Sequence, residues 1–348
     1  MPSRIQVRGP ALYSARSAPE LFRAVVEVTA RRARHGPRRP GWNWFMEAAT
    51  EVLRRQLAVA FNMCDINEAR RYLDSLVITP QAPELEIHEV THESFRGSWF
   101  VDPSVQDPVT LLYFHGGGYS FYPKAYAAFI ALITATAKSK TFALDYRLSP
   151  EHRFPAQLED ALNSYRWLVD SGTNPENLVV AGDSAGGNLT LALLLALRDA
   201  KLPLPSLAVT LSPATGFQDL NPVIAGNPHY DWINARMLEQ WTNWFCDPVQ
   251  RRNPLVSPVL ADLRGLPPIY IQAGRDEILY GTIQAFAEHA KSQGADAVLE
   301  SWEYMNHVFQ IFGPEVPQSI EALRRIGEVI DARVRHYRRI EPAFAKNV

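Results

Sequence analysis

The chemistry in this chain is most concentrated at Val179-Val180-Ala181-Gly182-Asp183-Ser184-Ala185-Gly186-Gly187. The run is Gly-x-Ser-x-Gly set between a short apolar strand and an apolar helix. A nucleophilic serine needs a tight strand-to-helix turn, and small residues on both sides let the backbone close up around it. The following helix directs its N-terminal dipole and free N–H groups at the reacting centre. A merely structural Gly-rich turn would not need that context, so Ser184 is the candidate nucleophile. A second run, His115-Gly116-Gly117-Gly118, follows an apolar strand at 111–114. Consecutive glycines expose backbone N–H groups without a Cβ in the way. Such donors suit the negative oxygen of a tetrahedral intermediate, where losing one costs about 3–4 kcal/mol of barrier. His115 precedes these glycines and reads as a residue that orders the loop.

The serine requires a base, and nine histidines compete. His35, His88, His92 and His336 lie outside the expected catalytic loops, His152 and His229 come too early in chain order, and His289 falls in a helical pattern. His307, in Tyr304-Met305-Asn306-His307-Val308-Phe309, follows the last apolar strand and precedes the final helix. In α/β-hydrolases the order along the chain is Ser, acid, His, which selects His307. The acid belongs after the penultimate strand, where Ala273-Gly274-Arg275-Asp276-Glu277-Ile278-Leu279 offers two neighbouring carboxylates. Spacing and chemistry do not choose between Asp276 and Glu277. No His/Cys/acid cluster has metal-ligand spacing, so neither a metal nor an organic cofactor is expected.

These side chains need a scaffold that brings distant loops together. From residue 84 onward the pattern alternates. Strands are expected at 85–90 and 94–101 as an antiparallel pair, then at 109–114, 141–144, 178–181, 207–211, 269–273 and 298–304. Helices are expected at 126–137, 156–170, 185–200, 283–292 and 317–335. That rhythm implies an α/β fold, a mostly parallel sheet with helices on both faces. Residues 1–83 form a helical N-terminal segment with no clear period-2 strand. An insertion at about 217–247, rich in Trp232, Trp241 and Trp244, is expected to join it in a cap. Residues 84–348 form the catalytic domain.

Composition bounds the rest. The 348 residues are 47% hydrophobic and 21% charged, which is globular. Lys+Arg at 35 and Asp+Glu at 37 leave a net charge of −2, no field for holding nucleic acid. The basic cluster Arg31, Arg32, Arg34, Arg38 and Arg39 is read as a solvated helix end, as is the C-terminal cluster that includes Arg333, Arg338 and Arg339. The two cysteines, Cys64 and Cys246, suit a reducing compartment. With no signal-peptide core and no apolar run long enough to span a bilayer, a cytoplasmic location is expected. A small molecule is the expected partner, and a homodimer is compatible with the reading.

Together these motifs resemble the hormone-sensitive-lipase-like family of α/β-hydrolase esterases, over roughly residues 109–330. The resemblance rests on His115-Gly116-Gly117-Gly118, the stretch from Asp145-Tyr146-Arg147 to Phe154-Pro155-Ala156, Gly182-Asp183-Ser184-Ala185-Gly186-Gly187, Gly265-Leu266-Pro267-Pro268 and His307-Val308-Phe309-Gln310. It implies an eight-stranded sheet, a largely helical cap and hydrolysis of carboxylic esters through an acyl-enzyme. It places the oxyanion donors on the N–H groups of Gly116, Gly117 and Ala185. Two departures stand out. The common family acid is an Asp followed by Pro-Leu; aligning Leu279 with that Leu puts Glu277 in the acid position. Where many members have Gly after the histidine, this chain has Val308. Tyr119, Trp232, Trp241 and Val308 are the candidate substrate contacts. Two other readings stay open at this point: a serine acyltransferase, lactonase or other biosynthetic catalyst that excludes water, and a non-catalytic small-molecule receptor of the kind that lacks the histidine.

Overall fold

The computed structural model describes residues 4–7, 11–79, 82–217 and 229–335. Part of the expected insertion (residues 218–228), together with His336, Arg338 and Arg339, lies outside the described residues.

The N-terminal segment contains strand β1 (Arg4–Val7), helices α1 (Ala11–His35), α2 (Trp44–Phe61) and α3 (Ile66–Ser75), and strand β2 (Leu76–Thr79). β1 and β2 pair antiparallel. Such four-residue strands are too short to register as period-2 alternation, and they flank the three helices of the segment. α2 begins where Asn43 accepts a hydrogen bond from the Met46 N–H, an N-cap that ends the Pro37–Pro40 break.

The main sheet has eight strands: β3 (Glu86–Thr91), β4 (Arg96–Val101), β5 (Val109–Phe114), β6 (Ser139–Asp145), β7 (Leu178–Asp183), β8 (Leu207–Leu211), β9 (Ile269–Gly274) and β10 (Ala297–Trp302). Their spatial order is β10-β9-β8-β7-β5-β6-β4-β3. β3–β4 and β4–β6 are antiparallel and the rest parallel. The central strands β5, β7, β8 and β9 are buried throughout, whereas edge strand β3 is largely exposed. Continuous apolar runs in the middle and polar residues at the edge are what a sheet covered on both faces requires.

Period 2 sorts the core. Leu111, Tyr113, Val179 and Val209 face α4 (Tyr126–Ala137) and α9 (Pro317–Ile330). Leu112, Phe114, Val180, Ala208 and Ile271 face α5 (Ala156–Asp170), α6 (Ala185–Asp199) and α8 (Tyr280–Ser292). One further helix, α7 (Ala235–Phe245), lies in the insertion. A third cluster joins Trp42, Met46 and Ala49 of the N-terminal segment to Met305, Phe309 and Phe312 after β10. The N-terminal helices therefore pack directly on the loop that carries His307.

Candidate active site

Ser184 sits between β7 and α6 at φ +53°, ψ −116°. A non-glycine residue in that region is strained, and the cost is met by the packing around it. A Cβ at Gly186 would lie 1.9 Å from the Phe114 carbonyl oxygen, so only glycine lets α6 approach β5 this closely. The Ser184 N–H donates to the Leu211 carbonyl at 2.8 Å, and its own carbonyl accepts from Ala214 and Asn188.

His307 Nε2 lies 2.9 Å from Ser184 Oγ. Its Nδ1 faces Glu277 Oε2 at 3.7 Å, and neither Nδ1 nor Glu277 Oε1 has another partner. Both side chains are almost wholly buried. The Ser212 hydroxyl donates to Glu277 Oε2 at 2.5 Å, and the Gly274 N–H does so at 3.4 Å. Burial pushes the Glu277 carboxyl up to about 8, opposed by the Ser212 hydroxyl and the Gly274 N–H. Burial also lowers His307, while the negative charges of Asp231 and Asp183 pull it back up. The imidazole is thus kept neutral and able to accept a proton, with three carboxylates placed to stabilise it once charged.

The two neighbouring carboxylates part company. Asp276 accepts two hydrogen bonds from Arg39, Nε to Oδ2 and Nη2 to Oδ1, each 2.6 Å. Nothing draws it to His307. The basic cluster is likewise more than a solvated helix end, although Arg34 is exposed. Arg31 and Arg32 pair with the buried Glu47, and Arg39 is committed to Asp276. The sequence pattern could not reveal this, because the acidic partners of Arg39 and the cluster lie up to 237 positions away.

The glycine loop requires a correction. The Gly116 N–H donates to Asp183 Oδ1 at 3.0 Å, so it is not available to an oxyanion. Asp183 is fully buried, also accepts from the Tyr113 and Tyr126 hydroxyls, and is raised to about 6 by burial. It anchors the loop. Gly117 and Gly118 come next, at φ +96° and +61°, and both line the cavity in front of Ser184. Among the described residues neither donates a backbone hydrogen bond, and Ala185, at the first position of α6, has no intrahelical acceptor. A Cβ on Gly118 would strike the Trp241 ring at 2.3 Å. His115 lies flat between Tyr122 and Tyr146, at ring distances of 3.7 and 4.1 Å, and burial lowers it to about 3.

The cavity measures about 150 Å³. Its walls are apolar and come from α2 (Phe45, Val52, Leu53) and from Phe121, Trp232, Trp241 and Phe312. Trp232 also donates its indole N–H to the His307 carbonyl at 2.6 Å. Two expected substrate contacts do not reach this space. The Tyr119 ring stacks on Phe245 at 3.9 Å and its hydroxyl donates to Asn188 at 2.6 Å. Val308 turns into the core, its N–H donating to Ser212 Oγ. Sequence reasoning missed Asp231, which accepts from the His307 and Trp232 N–H groups with one oxygen and from the Ile278 N–H with the other. It ties the insertion to both catalytic loops. No local motif marks it.

A buried serine–imidazole–carboxylate line, on a doubly covered parallel sheet and beside a glycine loop, defines a serine hydrolase of the α/β class. A family model described as alpha/beta hydrolase fold matches residues 111–311. The acetyl-hydrolase of Streptomyces hygroscopicus is 36% identical over 235 residues, 66% of this chain and 77% of that protein. The esterase of Acinetobacter venetianus is 30% identical over 75% of this chain and 88% of its own. Among solved structures, an esterase from the bacterial hormone-sensitive lipase family superposes with a TM-score of 0.78 at 31% identity, covering 84% of this chain and 99% of that one. The chain belongs to the α/β-hydrolase fold family, and within it to the hormone-sensitive-lipase-like esterases.

Proposed function

We propose that the chain hydrolyses carboxylic esters through an acyl-enzyme on Ser184, with His307 as base and Glu277 as the acid of the triad. His307 Nε2 takes the Ser184 hydroxyl proton as Oγ attacks the ester carbonyl. The N–H groups of Gly117, Gly118 and Ala185 receive the oxyanion, Gly116 being held by Asp183. His307 then protonates the leaving alcohol, and in the second half-reaction it activates water against the acyl carbonyl. As the imidazole becomes cationic, the 3.7 Å gap to Glu277 closes to a charge-assisted hydrogen bond. The observation that carries the reading is the 2.9 Å contact between Ser184 and His307 at the floor of an apolar cavity.

The apolar walls support a neutral substrate whose uncharged portion fills the cavity; α2 and the 229–247 part of the insertion act as its cap. The free thiols Cys64 and Cys246 support a cytoplasmic setting, and among the described residues no helix is long and apolar enough to cross a membrane. A steady-state assay on p-nitrophenyl esters tests the reading. The wild type should turn over, and Ser184→Ala and His307→Ala should each lose at least about 10³-fold in kcat. A folded Ser184→Ala protein at the wild-type rate would overturn it.

A further inference from the structure

The geometry points to Arg39, on the N-terminal segment, as a positioning residue of the triad that acts by holding Asp276 against the loop carrying Glu277. The proposal rests on Glu277 being the triad acid. Arg39 meets three elements at once. Its guanidinium takes Asp276 in a two-point grip, and it lies 4.3 Å from the ring centre of Tyr230 and 4.9 Å from that of Tyr304. Tyr230 precedes Asp231 in the insertion, and Tyr304 stands three residues before His307. The acid and base loops are themselves joined there, Arg275 N–H to the Trp302 carbonyl and Asp276 N–H to the Met305 carbonyl. Trp42, three residues after Arg39, donates to the Tyr304 carbonyl at 2.6 Å.

Position and charge follow from one contact. A planar fork gripping a carboxylate at two points fixes orientation as well as distance, which an ammonium cannot do. The Asp276 backbone is thereby fixed one peptide bond from Glu277. The guanidinium also cancels a negative charge beside a buried carboxyl that must ionise for catalysis. The groups facing this centre are Glu277, Asp231 and Asp183 around His307, and Arg38, Tyr230 and Tyr304 around the Arg39–Asp276 pair. Without Arg39, the unpaired Asp276 charge disfavours ionisation of Glu277 and favours protonation of His307. Both effects move the acid limb of the activity profile to higher pH. Without the Asp276 charge, the unpaired guanidinium moves it to lower pH.

The test measures kcat, KM and the pH profile of kcat/KM for Arg39→Ala, Arg39→Lys, Asp276→Asn and the Arg39→Ala/Asp276→Asn pair on a small activated ester. Arg39→Ala should lower kcat about tenfold or more with KM within about threefold. Its acid limb should rise by about half a pH unit or more, that of Asp276→Asn should fall, and the double variant should return toward the wild type. Arg39→Lys should recover the limb but only part of kcat. Should Arg39→Ala not fold, the test stands on Asp276→Asn, with its limb at lower pH, and on Arg39→Lys, with its limb near that of the wild type and kcat reduced. Single variants that shift the limb in the same direction, or an Arg39→Ala that moves KM alone, would overturn the proposal. An organophosphate that labels Ser184 alongside unmoved profiles removes the Arg39 role and spares the hydrolase reading; no labelling at all takes both down.

Discussion

At the residue scale the two carboxylates of the acid loop behave oppositely because the turn that the Glu277 N–H closes on the Gly274 carbonyl brings them to different partners. Glu277 faces His307 in a dry pocket, and Asp276 faces Arg39 at its edge. Glu277→Gln keeps the shape but loses the charge that stabilises the imidazolium, so kcat should fall at least roughly a hundredfold. Asp276→Asn should cost about tenfold. The same Glu277→Gln variant should be more stable than the wild type at pH 8. Glu277 is raised to about 8 when folded from an ordinary 4.5. Between these values the unfolded chain has released a proton that the folded chain still holds, so stability falls as pH rises through that window. The amide removes that penalty, on the order of a few kcal/mol. Thermal melts at pH 5 and pH 8 should show the gap between variant and wild type widening at the higher pH. A variant less stable than wild type at both would contradict the burial argument.

Val308 is the other residue whose environment decides its behaviour. It holds φ +46°, ψ +44°, a left-handed conformation that a β-branched side chain adopts at a cost of about 1–2 kcal/mol. A glycine there would avoid that cost. This chain offsets it by burying the valine in the core beside Leu323 and Ile326. Val308→Gly should therefore destabilise by under about 1.5 kcal/mol, against roughly 3 for a buried valine in ordinary backbone. Urea unfolding midpoints measure the difference.

At the scale of elements, α2 is the piece we propose sets the selectivity of the site. Phe45, Val52 and Leu53 form one wall of the cavity, and Met46 and Ala49 pack on the base loop. Val52→Phe fills part of a space of about 150 Å³, comparable to a cavity that holds benzene. It should lower kcat/KM for a hexanoate ester about tenfold or more and leave the acetate ester within about threefold. Equal losses on both would mean that the helix shapes the triad rather than the binding space.

Over the whole molecule, legibility followed locality. The strand–turn–helix around Ser184 and the loop after β10 are encoded by adjacent residues, so both could be read, and the two side chains meet at 2.9 Å. The parallel sheet was legible for the same reason, its central strands being unbroken apolar runs. What could not be read were pairings across the fold. The Gly116 N–H looked free until Asp183, 67 positions away, was seen to hold it. Asp231 carries no motif, because its work is done for loops on other elements. Arg39 resembled any surface arginine beside prolines. Tyr119 sits next to the glycine loop in sequence, yet its ring is claimed by Phe245 from the insertion.

The central claim is that Ser184 becomes the acyl carrier because His307 deprotonates it at the floor of the cavity. Intact-mass spectrometry after brief treatment with a fluorophosphonate tests this most directly, comparing wild type, His307→Ala and Ser184→Ala. The wild type should gain one adduct mapping to the peptide that contains Ser184. His307→Ala should label at least about a hundredfold more slowly, and Ser184→Ala not at all. An adduct on any other residue, or labelling of folded Ser184→Ala at the wild-type rate, would contradict the account.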